Sequence, residues 1–212
     1  PFWQSSLSID QFVTALQETF QMVFFSLLFG CIWGLIQGVT LVVTRTGGIL
    51  QNRVIYYFLN PIVNALRSLP FIILLIAVIP LTKMLVGTSI GTWAAIVPLT
   101  IYVGPYLGRL IETSLLEVNE GIIESAQAMG ATPLQIIFKF ILPEARSSLI
   151  LNLTTATISL IGATAMAGAV GAGGIGDLAI SYGYQRFDTS VVILTVIVLL
   201  LLVQIVQTMG DW

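Results

Sequence analysis

Residues 19–44 read TFQMVFFSLLFGCIWGLIQGVTLVVT, with no Asp, Glu, Lys or Arg among them. A helix needs roughly 20 apolar residues to cross the hydrocarbon of a bilayer, and this run exceeds that length. Three further stretches are equally free of charge: Met84 to Gly108, Ser147 to Gly176, and Thr189 to Gly210. A fifth apolar stretch, about Pro61 to Ile79, carries Arg67 near one end and Pro70 inside it. With Arg67 held towards the interface it is long enough to cross, and Pro70 should kink or locally unwind it. The pattern predicts an all-α integral membrane bundle of five transmembrane helices in one domain, 1–212. The spans fall at about 19–43, 61–79, 92–111, 144–169 and 189–209. Composition agrees: the 212 residues are 57% hydrophobic and 8% charged. A soluble domain carries roughly 25% charged residues.

Several function classes drop out at once. Eight Lys and Arg against ten Asp and Glu leave no basic stripe, so nucleic acid is not an expected partner. The absence of His removes Ser-His-Asp and Cys-His catalysis and every His-ligated metal site. Cys31 is the single cysteine, so no intrachain disulfide forms, and its apolar surroundings point to packing. No stretch matches G-x-x-x-x-G-K-[ST], so the chain does not itself cradle ATP phosphates. No catalytic, metal or cofactor-binding residues are expected. Gly171-Ala172-Gly173-Gly174-Ile175-Gly176 spells the dinucleotide fingerprint, but a membrane span precedes it where a strand is required. Asp177 and Asp188 also follow too soon to serve the ribose. A tight turn, where backbone approaches backbone, is the expected use of this run.

Five spans place the termini on opposite sides, and the positive-inside rule chooses between the two arrangements. With the N-terminus outside, Arg45, Arg53, Arg67, Arg109, Lys139 and Arg146 lie inside, and only Lys83 and Arg186 lie outside. The expected topology is N-terminus out, C-terminus in. No basic segment precedes the first apolar run, so the beginning does not read as a signal peptide, and Pro1 suggests a trimmed end. Ser8 to Gln11 reads as a capping box opening a short amphipathic helix with Phe12, Leu16 and Thr19 on one side.

The stretch 112–143 then falls in the cytoplasm between the third and fourth spans. Glu112, Glu117, Glu120, Glu124 and Lys139, with Glu144 and Arg146 just beyond, concentrate charge there. Ile122, Ile123, Ala126 and Met129 recur at helical spacing, and Gly130 is placed to end that helix with a left-handed cap. Thr132 to Gln135 is a second capping box, with Pro133 at the first helical position. A short helix follows with Leu134, Ile137, Phe138 and Ile141 on one face, stopped by Pro143 where the fourth span begins. Two short amphipathic helices between spans either lie on the bilayer surface or form a docking surface for a soluble partner.

Glu124-Ser125-Ala126-Gln127-Ala128-Met129-Gly130, followed after ten residues by Ile141-Leu142-Pro143, resembles the cytoplasmic EAA loop of bacterial ABC importer permeases. The family pattern is Glu-Ala-Ala, three residues, Gly, nine residues, Ile, any residue, Leu-Pro. Ser125 replaces the first Ala here, and Phe140 stands where Ile is usual. Both are mild exchanges. The resemblance extends through Arg67 to Leu75, Val86 to Ile90, Ala94 to Thr100 and Gly168 to Gly176, which look like the methionine-importer branch of that family. It implies a permease domain in the bacterial cytoplasmic membrane, working as a homodimer. Two ATPase subunits that hold ATP and Mg would dock beneath it, and a substrate-binding lipoprotein would deliver ligand from outside. The implied ATPase-coupling residues are Glu124, Ser125, Ala126, Met129, Gly130, Ala131, Thr132, Pro133 and Leu134. Glu124 would meet the ATPase as an ion pair or helix N-terminal contact. Ala126 and Gly130 would permit close approach, and Met129, Ala131 and Leu134 would supply apolar contact. A permease for another small solute, such as a polar amino acid, shares the same motifs.

Inside the bilayer the candidate residues are Met166, Gly162, Arg67 and Pro70. The fourth span is rich in small residues, Ala156, Ser159, Gly162, Ala163, Ala165, Ala167 and Gly168, with Met166 the bulky exception near its outer end. Such a helix suits a close interface. Two copies of Met166 facing across a two-fold axis could plug the path, or Met166 could simply pack against a neighbouring helix. Arg67, three residues before Pro70, is either a functional intramembrane charge or a snorkelling interfacial one. An ion-coupled secondary transporter would be expected to show embedded carboxylates or inverted repeats, but the four long spans hold no acidic residue at their centres and no half of the chain repeats another.

Overall fold

The computed structural model describes residues 7–210, and every regular element among them is helical. The order is α1 (Ile9–Thr44), α2 (Arg53–Ser68), α3 (Phe71–Ala77), α4 (Ile79–Val86), α5 (Thr92–Leu116), α6 (Glu120–Ala128), α7 (Pro133–Ile136), α8 (Leu142–Glu144), α9 (Arg146–Gly168), α10 (Gly174–Leu178) and α11 (Thr189–Gly210). Residues Ile137–Ile141 and Ala179–Tyr184 wind as wider π-helical turns.

Four helices, α1, α5, α9 and α11, are long and apolar enough to cross a membrane, and α2 with α3 makes a fifth if that bent pair is one span. The bent pair is where the chain departs most from a straight helix over 61–79. Pro70 has no amide to donate and forces Leu69 into extended backbone (φ −75°, ψ 131°), so α2 stops at Ser68. The chain then turns by 109° into α3. A second break at Val78, with Pro80 in the first turn beyond it, separates α3 from α4.

The capping box at Ser8 forms as read, with Gln11 N donating to Ser8 Oγ at 3.3 Å and Ser8 N donating to Gln11 Oε1 at 3.1 Å. It opens no separate short helix, however. Nothing between Phe12 and Thr19 breaks the helix, so the amphipathic start and the first span fuse into one helix of 36 residues. The third span likewise runs past 111 to Leu116, which takes Glu112 out of the connecting loop and into α5.

The seam between α1 and α5 organises the bundle. Gly30, Gly34 and Gly38 on α1 face Val103, Leu107 and Ile111 on α5, so the two helices run parallel. A Cβ on Gly34 would stand 2.8 Å from Leu107 Cβ and 2.9 Å from the Gly104 carbonyl oxygen, and one on Gly38 would stand 2.7 Å from the Gly108 carbonyl oxygen. Small residues four apart let two backbones come together, the main route to close packing where lipid supplies no hydrophobic drive. Leu99, Val103 and Leu107 lie fully buried along this contact.

A polar knot secures the other side of α5. Arg109 donates to Glu112 one turn on, to Asn60 Oδ1 at 2.7 Å and to Asn64 Oδ1 at 2.5 Å. Glu112 is only 4% exposed, so α2 is tied to α5 by a buried ion pair with two amide acceptors on α2. Removing one partner of a buried pair leaves the other charge uncompensated, a loss of about 3–5 kcal/mol. Glu112→Leu should therefore lower the thermal unfolding midpoint in detergent sharply. Arg45→Ala, which breaks only an exposed 3.9 Å pair with Glu120, should cost under about 1 kcal/mol. Gly34→Leu should prevent α1 from seating on α5 altogether, read as loss of the monodisperse detergent-solubilised protein.

Candidate functional site

The loop between α5 and α9 is itself folded into short, capped helices. Asn119 caps α6, its Oδ1 accepting from Gly121 N at 2.8 Å. At the other end Gly130 adopts φ +76°, its amide donating to the Gln127 carbonyl at 2.9 Å while Ala131 N donates to the Ala126 carbonyl at 3.0 Å. This 5→2 and 6→1 pairing is a Schellman cap, and it needs a residue that enters left-handed space without penalty. A Cβ at Gly130 would meet nothing within 4 Å, so backbone conformation alone demands glycine there. Two residues later Thr132 starts α7 through a reciprocal box, with Thr132 N donating to Gln135 Oε1 at 2.9 Å and Gln135 N donating to Thr132 Oγ1 at 3.4 Å.

The two faces of this segment separate cleanly. Ala126, fully buried, turns into the chain's own core with Ile136, Ile137 and Ile141, and the half-buried Ile122, Ile123 and Ala131 pack beside them. Met129 (71% exposed), Leu134 and Phe138 stand out from the bundle, and Glu124, Ser125 and Gly130 are exposed with them. Two expectations are corrected here. Ala126 contributes to holding α6 on its own bundle, so it offers no surface for close approach. Leu134, Ile137, Phe138 and Ile141 do not share a face, because the π-helical turn rotates Ile137 and Ile141 inward and leaves Leu134 and Phe138 outside. That wide turn also absorbs Pro143, which lacks an amide: Leu142 N donates five residues back to the Ile137 carbonyl. Pro143 accordingly sits in the first turn of α8, and the chain runs on through Ala145 into α9 with scarcely a break. Ser125 Oγ back-bonds to the Gly121 carbonyl at 2.6 Å, and half-buried Pro133 opens α7.

Along α9 the small residues divide in the same manner. Ala156, Leu160, Ala163 and Ala167, spaced at one helical face, are buried against this chain's own helices. Leu151, Thr155, Gly162 and Met166 are exposed along a second stripe, with half-buried Ile158 and Ser159 at its middle. A Cβ on Gly162 would meet nothing within 4 Å, and Met166 is 55% exposed. Beside this stripe Tyr102 on α5 shares a 2.9 Å hydrogen bond with Ser159, and Phe71 packs edge-on against the Tyr102 ring at 5.3 Å. Arg67 and Pro70 do not join Met166. Arg67 is exposed at the last turn of α2, the helix whose Asn60 and Asn64 accept from Arg109 towards the C-terminal end of α5. Met166 lies at the opposite end, beside the turn that meets the start of α5. The glycine run 171–176 makes its close backbone approaches within one chain. Gly91 N donates to the Gly171 carbonyl at 2.9 Å, and Gly168 and Gly176 let α9 and α10 touch backbone to backbone within one chain.

Comparison with known proteins agrees with this geometry. Residues 26–212 match the family model described as binding-protein-dependent transport system inner membrane component. A probable D-methionine transport system permease protein MetI of Vibrio cholerae is 48% identical over 206 residues, 97% of this chain and 92% of that relative. A solved structure of the MetNI methionine ABC transporter in inward-facing conformations is 46% identical, with a TM-score of 0.95 over 98% of this chain and 96% of its own. An amino acid ABC transporter structure shares the fold at 17% identity, with a TM-score of 0.78 over 95% of this chain and 92% of its own. The chain belongs to the family of inner-membrane components of binding-protein-dependent transport systems. It is a transport component, not an enzyme.

The cap at Gly130 predicts a graded response. Gly130→Ala places a Cβ in left-handed backbone at a cost of about 1–2 kcal/mol, and Gly130→Asn costs less because Asn tolerates that region. Hydrogen–deuterium exchange at the Gly130 and Ala131 amides should rise in the order wild type, Asn, Ala.

Proposed function

We propose that this chain is the permease subunit of an ATP-driven importer for methionine, including the D-enantiomer, and that it lines the path as a homodimer. Two ATPase subunits would dock at the coupling-loop end, and a substrate-binding lipoprotein would deliver solute at the other. The substrate assignment is supported by the printed names of the Vibrio cholerae relative and of the MetNI structure. The observation that carries the coupling role is the exposed set Met129, Leu134 and Phe138, held above a buried Ala126 and a rigid left-handed cap. Apolar side chains exposed on a structured lever call for a groove on a partner. The chain binds no cofactor itself, and ATP and Mg2+ reside on the ATPases.

In this reading the coupling-loop end faces the cytoplasm, with the N-terminus outside and the C-terminus inside. Closure of the ATPases would draw the two copies of α6 and α7 together. Because Ala126, Ile136, Ile137 and Ile141 bind that lever to the bundle, the motion passes into α9 through α8. The open stripe Leu151, Thr155, Gly162 and Met166 would face its two-fold mate, with Met166 as the apolar gate and Gly162 giving it room. Arg67 snorkels to the cytoplasmic interface, and Pro70 sets the bend that keeps α2 clear of the path.

Mass measurement of the gently extracted complex, tagged on this chain, should give two copies of the chain and two of an ATPase. An oligomer free of ATPase at every salt concentration would overturn the reading. In proteoliposomes the complex should take up methionine when ATP is supplied with the binding protein. Glu124→Lys and Gly130→Trp should each leave the dimer assembled and abolish ATP-driven uptake, and full uptake by either would sink the lever assignment.

A further inference from the structure

Glu18 is acidic, sits on a membrane-crossing helix, and has no cation paired with it among the described residues. Its carboxylate instead accepts the backbone amide of Gly174 at 2.7 Å, across 156 positions of sequence. The next residue repeats the arrangement: buried Thr19 accepts Ile175 N through Oγ1 at 2.9 Å. A Cβ on Gly173 would stand 2.5 Å from Glu18 Oε2, and one on Gly174 would stand 2.7 Å from Thr19 Oγ1, so the glycines let the turn settle directly onto α1. Both have φ near +80°, which an L side chain would resist.

What this turn holds is the end of α9 that carries Met166. A Cβ on Gly176 would collide with Ala165, and one on Gly168 would collide with Asp177, so α10 bears on the residues flanking Met166 on either side. Gly171 and Ala172 accept from Gly91 N at 2.9 Å and Thr92 Oγ1 at 3.2 Å, closing the same turn onto α5. The end of α9 is therefore set against α1 through amides that Glu18 and Thr19 satisfy, and against α5 through the donors Gly91 N and Thr92 Oγ1. An amide bonded to a carboxylate is worth more than a neutral pair, and a buried amide stripped of its acceptor is costly.

We propose that Glu18 and Thr19 are positioning residues for the gate: they latch the turn 171–176 to α1 and so hold Met166 at its closing position. This rests on the reading of Met166 as the gate in a methionine importer. The latch makes α1, α5 and the gate end of α9 one rigid body, so opening takes place between the two protomers and not within one.

The test uses the assembled permease–ATPase complex in proteoliposomes, with the binding protein present. Methionine leak without ATP, ATP-driven uptake and ATP hydrolysis are read together. Glu18→Ala should raise leak by about tenfold and lower the uptake obtained per ATP, the loss expected for a charge-assisted bond. Glu18→Gln, whose carbonyl can accept the same amide, should stay within about twofold of wild type. Tight, coupled transport by Glu18→Ala would overturn the latch, as would a Gln variant as leaky as the Ala variant. Should Glu18→Ala fail to assemble, Thr19→Val against Thr19→Ser reads the same contrast at Ile175 N, with a tight Val variant overturning the proposal. Met166→Ala serves as reference for an open gate. A tight Met166→Ala complex, or a wild-type complex without methionine uptake, overturns the underlying reading and the latch with it. A leaky Met166→Ala beside a tight Glu18→Ala overturns the latch alone.

Discussion

Two parallel helices meeting along glycine carry the rest of this molecule. In lipid, Leu gains nothing by leaving one apolar neighbour for another, so helices stay together through dispersion at short range. Gly30, Gly34 and Gly38 on α1 and Gly104 and Gly108 on α5 bring carbonyls and side chains within van der Waals reach at every turn. Everything else leans on this pair: α2 through the Arg109–Glu112 knot, α9 through Tyr102 and Ser159, and the 171–176 turn through Gly91 and Glu18.

The two ends of the bundle solve different problems. At the end that carries α6 and α7 the backbone is stiffened by caps, at Asn119, Gly130 and Thr132, and apolar residues are left outside. At the other end the loop that follows α9 is sewn down by side-chain acceptors from α1. In the proposed function the first end is a lever, which must be rigid and sticky, and the second a gate, which must be held in place yet present an inert surface. Along the open stripe of α9 the residues Leu151, Thr155, Gly162 and Met166 carry no charge, which suits a passage that should not retain its cargo.

Much of this was legible from residue order. Charge-free runs located four long helices, because the bilayer punishes a buried charge wherever it falls. Gly130 and the Thr132 box were readable because a cap is a local event decided by a few adjacent residues. The misreadings were non-local. Ala126 looks like a contact residue by motif, but which face of α6 points inward depends on where Ile136 and Ile141 come to lie. Glu112 looks like a loop charge until Asn60 and Asn64 arrive from α2 to solvate its partner. Pro70 announced a break, yet the 109° of turn depends on what α3 then packs against. The α1–α5 seam had a visible signal, glycines four apart on both helices, that was overshadowed by the richer small-residue content of the fourth span.

The length of α1 has a consequence for the membrane around it. A helix of 36 residues is about 54 Å long, against a hydrocarbon thickness of about 30 Å. Its charge-free portion alone, residues 19–44, outruns that thickness, so the helix must tilt or the bilayer must swell around it. Because α5 is fixed parallel to α1 along the glycine seam, the two tilt together, and the segment hung from the end of α5 tilts with them. Bilayer thickness thereby bears on the angle at which Met129, Leu134 and Phe138 stand out from the bundle.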